Sequence, residues 1–135
     1  MPESTNIVDS WAVIAWLLDQ RAAPMFESFL READAARIQL LMSWINVGEV
    51  YYIVVRRHGV EKAEAFLKSI PALPIRVVLP TDADVIAAAR LRSSRRLSYA
   101  DAFAAALAIR EGAAVITGDP ELRALSDILS VEWIG

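Results

Sequence analysis

Four carboxylates of this chain stand where a carboxylate is costly. Asp9 follows the apolar run NIV, Glu49 is the one acid inside INVGEVYYIVV, Asp101 is the one charge in SYADAFAAALAI, and Asp119 follows VITG. A charge among apolar side chains loses hydration and persists when it is paired, hydrogen-bonded or bound to a cation. Close-set carboxylates also repel one another, and a divalent cation is the usual remedy. The chemistry such a set supports is that of hard, oxygen-seeking ions. Mg²⁺ favours octahedral oxygen coordination, keeps several waters and takes one or two carboxylates directly, and Mn²⁺ can substitute for it. A cation so held lowers the pKa of a bound water and offsets charge building on a phosphate.

Absences narrow the alternatives. There is no cysteine, so disulfides, thiolate zinc sites and thiol nucleophiles are excluded, and a single histidine, His58, excludes His-pair catalysis. Neither GxxxxGK[ST] nor GxGxxG occurs, so the Gly-rich phosphate loops are missing. The net charge of −3 means that any affinity for nucleic acid must come from a local basic patch. Carboxylates are what remains for chemistry.

Each acid also has a purely structural reading. Asp9 can cap the helix that starts near Trp11, Asp101 can complete a capping box with Ser98, and Asp119 before Pro120 fits an N-cap with proline at the first helical position. Glu49 has no such local role among Val, Tyr and Ile.

The elements that must position these acids alternate between strands and helices. Strands are expected at Asn6–Val8, Arg37–Met42, Ile75–Leu79, Ala114–Thr117 and Val131–Ile134. Helices are expected over Trp11–Gln20, from Pro24 to about Ala35, over 60–70, after the Thr81-x-x-Asp84 capping pattern, from Ser98 to Gly112, and over Pro120–Leu125. Ile45–Arg57 is ambiguous, because VYYIVV favours a strand while the length and the RRHG ending favour a helix. This alternation predicts an α/β/α sandwich, three layers around a mainly parallel sheet of about five strands, in one domain over 1–135. Ligands of such sheets bind beyond the carboxyl ends of the strands, which is where Asp9 and Asp119 fall. Asp101, in the first turn of the helix leading to the 114–117 strand, can reach the same edge.

Hydrophobic residues make up 56% of the chain, yet charges interrupt every apolar stretch before it could span a bilayer, and no signal-peptide pattern opens the sequence. A cytoplasmic protein without membrane contact is expected. The apolar surplus suits a homodimer or a partner interface.

NIVDSW, NVGEVYY, LSYADAFAAALA and VITGDPEL, in this order, resemble the four acidic motifs of the PIN-domain ribonucleases, in particular the small VapC-type toxins of prokaryotic toxin–antitoxin pairs. The correspondence runs from Asn6 to Leu122. The resemblance implies a PIN-like fold and Mg²⁺-dependent hydrolysis of RNA. It makes Asp9, Glu49, Asp101 and Asp119 the catalytic and metal-binding acids, with Ser10 and Thr117 as supporting hydroxyls. It also implies an antitoxin whose peptide covers the cleft, and a helix at Ile45–Arg57. The Asn46-Val-Gly-Glu49 context departs from the pattern, since many relatives carry a hydroxyl residue before the glutamate. Glu121 is either an auxiliary acid or an exposed helix residue.

An RNA substrate needs a counter-charge. Arg90, Arg92, Arg95 and Arg96 precede Asp101, and Arg56, Arg57 and His58 follow Glu49. Arg92, Arg95 and Arg96 are expected phosphate contacts, set against the plainer reading of a solvated helix end. Trp11, Trp16 and Trp44 suit packing better than base stacking. Two other functions fit a small acidic α/β domain. One is a catalytically silent module binding RNA or protein. The other is a receiver-type phosphoacceptor domain, which would want an adjacent acidic pair after the first strand and a lysine after a late one.

Overall fold

The computed structural model describes residues 4–135, and its element order follows the alternation expected. Strand β1 (Ser4–Val8) leads into helix α1 (Ser10–Leu17) and helix α2 (Ala23–Asp34), followed by β2 (Ile38–Ser43), α3 (Trp44–His58) and α4 (Val60–Ser69). A 3₁₀ turn (Ile70–Ala72) precedes β3 (Arg76–Val78), then come α5 (Asp82–Ser94), α6 (Tyr99–Glu111), β4 (Ala114–Thr117), α7 (Pro120–Arg123) and β5 (Val131–Trp133).

The five strands form one sheet in the order β3-β2-β1-β4-β5, every pair parallel. Receiver domains follow the order 2-1-3-4-5, so that rival fails on topology. Strand order reverses direction between β1 and β4, and such a switch point opens the crevice where ligands of parallel sheets bind. Successive side chains alternate between two cores. Val8, Leu40, Met42 and Ile116 pack toward α1–α4, while Ile7, Leu41 and Val115 pack toward α6. This burial on both faces makes the sheet the middle of three layers.

Helix α6 explains its own composition. Ala102 through Ala108 are all buried, and the alanines let α5 and the sheet approach closely. The capping pattern before α5 is complete, with Thr81 accepting from the Asp84 N–H and Asp84 accepting from the Thr81 N–H. Asp84 also receives Arg110 at 2.8 and 3.2 Å, which ties α5 to α6.

The ambiguous segment is a helix. Val47, Val50 and Val54 bury one face at helical spacing, Ser43 caps the start by accepting from the Ile45 N–H, and the last turn carries Arg56, Arg57 and His58. Gly59, at φ 94°, turns the chain out of it. Burial of an amphipathic face and caps at both ends outweigh the strand propensity of VYYIVV.

Candidate metal centre

Every one of the four acids lines a cavity of about 280 Å³ at the carboxyl edge of the sheet. Parallel β1 and β4 deliver Asp9 and Asp119 to neighbouring strand ends, and the first turn of α6 brings Asp101 over them. Glu49 comes from the second turn of α3. One carboxylate oxygen each from Asp9, Glu49 and Asp101 lie within 4.8 Å of one another, and so do oxygens from Asp101, Asp119 and Glu121. Asp101 is common to both groups. Glu121, half-buried, thus sits beside the acids and not on an open helix face.

The capping readings now separate. Asp9 occupies the N-cap position of α1 with extended backbone, yet its side chain makes no cap hydrogen bond. Instead its Oδ2 accepts from the Thr117 hydroxyl at 2.8 Å, while Oδ1 is buried with no hydrogen-bond partner. Ser98 caps α6 by accepting from the Asp101 N–H, but the returning carboxylate bond of a capping box is absent among the described residues. Asp119 does cap α7, through Oδ1 and the Glu121 N–H. Two of the three acids are therefore not accounted for by capping.

Confinement raises the cost of charge. Burial pushes the Asp9 carboxyl up to about 7; the Thr117 hydrogen bond opposes this, and the charges of Glu49 and Asp119 add to it. Burial and then the Asp9 charge push Asp101 up to about 9, with Asp119 and Glu49 contributing further. A divalent cation would reverse this penalty. The donor set fits a hard cation, being all carboxylate oxygen and including one buried, unpartnered oxygen on Asp9.

Ser10 and Thr117, both buried, take different places. Thr117 links two acids, donating to Asp9 and accepting from the Asp119 N–H at 2.9 Å. Ser10 Oγ donates to the Asn46 carbonyl and accepts from the Asn46 side-chain amide at 3.0 Å; that amide also donates to the Ala100 carbonyl. Asn46 thus clamps the ends of α1, α3 and α6 together behind the acids. Its place three residues before Glu49, on the same helical face, was the available signal in the sequence. Gly118 was a second overlooked position: a Cβ there would overlap the Trp11 indole, so glycine is what lets that ring lie against the loop between Thr117 and Asp119.

The expected phosphate contacts lie apart from this cavity. Arg95 is held in a two-pronged ion pair with Asp127, at 3.1 and 2.6 Å. Arg92 and Arg96 are exposed, and none of the three is among the cavity's lining residues.

Comparison with known proteins places this geometry in a family. The sequence model of the PIN domain matches residues 7–128, and the chain belongs to that family. Nothing among the curated proteins matches. Among solved structures, the chain is similar to VapBC2 from Rickettsia felis bound to a promoter DNA fragment, at 14% identity and TM-score 0.76, covering 97% of this chain and 99% of that one. It is similar to VapC20 from Mycobacterium tuberculosis, a sarcin–ricin loop cleaving toxin, at 20% identity and TM-score 0.74, covering 89% and 94%. VapBC-5 from the same organism gives 23% identity and TM-score 0.63 over 97% and 98%. These likenesses are of fold.

Proposed function

We propose that the chain is a metal-dependent endoribonuclease of the VapC type, the toxin of a toxin–antitoxin pair. The observation that carries this reading is the buried Asp9 carboxylate, one oxygen held by Thr117 and the other unpartnered, with oxygens of Asp9, Glu49 and Asp101 gathered within 4.8 Å. An acid needed only for capping would bond the helix it starts.

Asp9, Asp101 and Asp119 would hold Mg²⁺, or Mn²⁺ in its place, and the half-buried Glu49 would bind through water or orient the attacking water. When bound, such an ion supplies an acidic water and offsets charge on the phosphate. Thr117 fixes the rotamer of Asp9 and the backbone of Asp119, and Ser10 with Asn46 fixes where α3 and α6 start. In-line attack of water at phosphorus then breaks one P–O bond of the diester, giving a phosphate monoester and an alcohol, with no histidine or cysteine needed.

The relatives support the biological setting. VapC20 is described as cleaving the sarcin–ricin loop, and VapBC2 and the Salmonella typhimurium VapBC are complexes bound to DNA. By analogy this chain's partners are an RNA substrate and a small antitoxin that covers the acidic cleft. Exposed Tyr52, Val60, Val85, Ile86 and Ile109 leave apolar surface for a homodimer or antitoxin contacts. No helix among the described residues is long and apolar enough to cross a membrane. Arg92 and Arg96 are proposed as outer phosphate contacts, and Arg95 as one only when Asp127 releases it.

The test is cleavage of labelled single-stranded RNA at low salt in Mg²⁺ or Mn²⁺, beside EDTA and Asp101→Asn. Metal-dependent cleavage lost in the variant supports the proposal. Binding without cleavage in saturating metal would make the chain a silent RNA-binding module instead.

A further inference from the structure

Helix α3 carries more into the cavity than Glu49. Glu49, Ile53 and Arg57 recur every four residues, so they share one stripe of the helix, and all three line the acidic cavity. The stripe passes from an acid beside the carboxylate cluster, through an apolar middle, to a guanidinium at the outer end. Arg57 is the one basic side chain among the cavity's lining residues, against five carboxylates counting Glu121. Despite that, it makes no ion pair or side-chain hydrogen bond among the described residues. Its neighbour Arg56 points elsewhere, over the Tyr52 ring at 5.5 Å.

A cation on the wall of an acidic cavity would ordinarily be drawn into an ion pair. Arg57, exposed and unpaired, keeps all its donors for an anion from outside. The substrate class of the proposed function is a polyanion, and five carboxylates repel it even when a divalent ion neutralises part of their charge. We propose that Arg57 holds a phosphate of single-stranded RNA next to the scissile one, gripping it with the guanidinium fork while the scissile phosphate lies over the acids. This inference rests on the ribonuclease reading. It adds a phosphate contact in the cavity itself to the outer ones proposed for Arg92 and Arg96, and it makes Arg57 a binding residue with no part in proton transfer.

The experiment compares Arg57→Gln with Arg76→Gln, which removes the same charge from the start of β3, at the strand end away from the cavity. Binding of a fluorescent random-sequence RNA is read in the Asp101→Asn background without added metal, so that turnover is suppressed, across a salt series. Steady-state cleavage is read in the single variants. Arg57→Gln should weaken binding about tenfold and flatten the salt dependence by roughly one counterion. In turnover it should raise KM more than it lowers kcat. Arg57→Lys should recover part of the affinity, since it restores the charge and not the fork. Because Arg57 is exposed, its replacement should leave thermal unfolding unchanged. Equal weakening by Arg57→Gln and Arg76→Gln would overturn the assignment in favour of a general charge effect. Unchanged binding in Arg57→Gln, with the parent still binding, would overturn it outright. A wild type that neither binds nor cleaves RNA would overturn the ribonuclease reading along with it.

Discussion

The Thr117 hydroxyl donates a 2.8 Å hydrogen bond to Asp9 Oδ2, joining residues 108 positions apart in sequence at the ends of adjacent parallel strands. Thr117 Oγ1 also accepts from the Asp119 N–H, so one hydroxyl sets both the rotamer of one acid and the backbone of another. Thr117→Val keeps the shape and removes both bonds. The buried Asp9 carboxylate would then have neither oxygen hydrogen-bonded. Mn²⁺ affinity by calorimetry should fall about 10–100-fold, as when a partner that orients a metal ligand is lost. Stability of the metal-free protein should drop by about 1–2 kcal/mol. Thr117→Ser should restore most of both, and a Thr117→Val protein with unchanged Mn²⁺ affinity would rule out this orienting role.

Asp101→Asn should separate catalysis from stability. The Ser98 cap uses the backbone N–H of residue 101 and survives the change. RNA cleavage should fall by about 10²–10³-fold or more through loss of an acid at the centre of the cluster. The metal-free protein should become more stable at pH 8, because the buried carboxyl, raised to about 9, must take up a proton on folding at that pH and the amide need not. Chemical denaturation in EDTA measures the second effect. A destabilised variant would mean that the native carboxylate is a structural anchor.

The same crowding sets a pH dependence. Asp9 is raised from 3.8 to about 7 and Asp101 from 3.8 to about 9, both upward relative to the unfolded chain. Between those limits the folded protein binds protons that the unfolded chain has released. The stability this gives is fully present below the unfolded value and is lost as pH rises through the folded values. Metal-free protein should therefore lose stability steadily from about pH 4 to pH 9. Protons compete with a cation for these oxygens, so the rise in melting temperature on adding Mn²⁺ should be larger at pH 8 than at pH 6. Thermal scans at the two pH values, with and without Mn²⁺, decide it; an equal rise at both would place the cation away from Asp9 and Asp101.

Much of this arrangement was legible before the structure. Asp9 and Asp119 follow strands whose apolar runs are plain, and a parallel sheet puts such positions at one edge. What single-sequence patterning left open was α3, where VYYIVV argues for a strand while the length of the segment and its RRHG ending argue for a helix. The PIN-type resemblance resolved that point, and it depends on residue identity in motifs, not on periodicity. Asn46 was legible only as a departure from a pattern, because a buried amide reveals its partners only in three dimensions. The arginines' surroundings were hidden for a related reason. Arg95 looks free in sequence, whereas Asp127, thirty-two residues on, occupies its guanidinium.

Asn46 should matter more than its lack of charge suggests. Its side-chain amide donates to Ser10 Oγ and to the Ala100 carbonyl, and its backbone carbonyl accepts from Ser10. Asn46→Leu removes the two bonds that the side-chain amide donates, to Ser10 and to the Ala100 carbonyl, at a cost of about 1–3 kcal/mol, and lets α3 and α6 move relative to each other. Cleavage should fall with stability, whereas Asn46→Ser, carrying a hydroxyl in place of the amide, should retain more of both. Unfolding curves and initial rates on the two variants test this; equal behaviour would show that polarity at this position is irrelevant.

Gly118 offers the most local test of how the site is held. A Cβ at this position would overlap the Trp11 indole, and the residue lies between Thr117 and Asp119. In Gly118→Ala either the ring tilts into the cavity or the loop withdraws, taking Asp119 from Asp101. Overpacking of this kind costs about 1–3 kcal/mol, and cleavage should drop alongside it. Trimming the ring should relieve the conflict: Trp11→Phe in the Gly118→Ala background should regain stability and rate relative to Gly118→Ala alone. Trp11→Phe by itself, which only opens a gap, should be mildly harmful. That sign reversal is the mark of direct contact between the two residues, and a double-mutant cycle measures it. Additive losses would mean that the glycine serves the backbone of the loop and not the seat of the ring. In that event the position of Asp119 would be set by the Thr117 hydroxyl and the α7 cap alone.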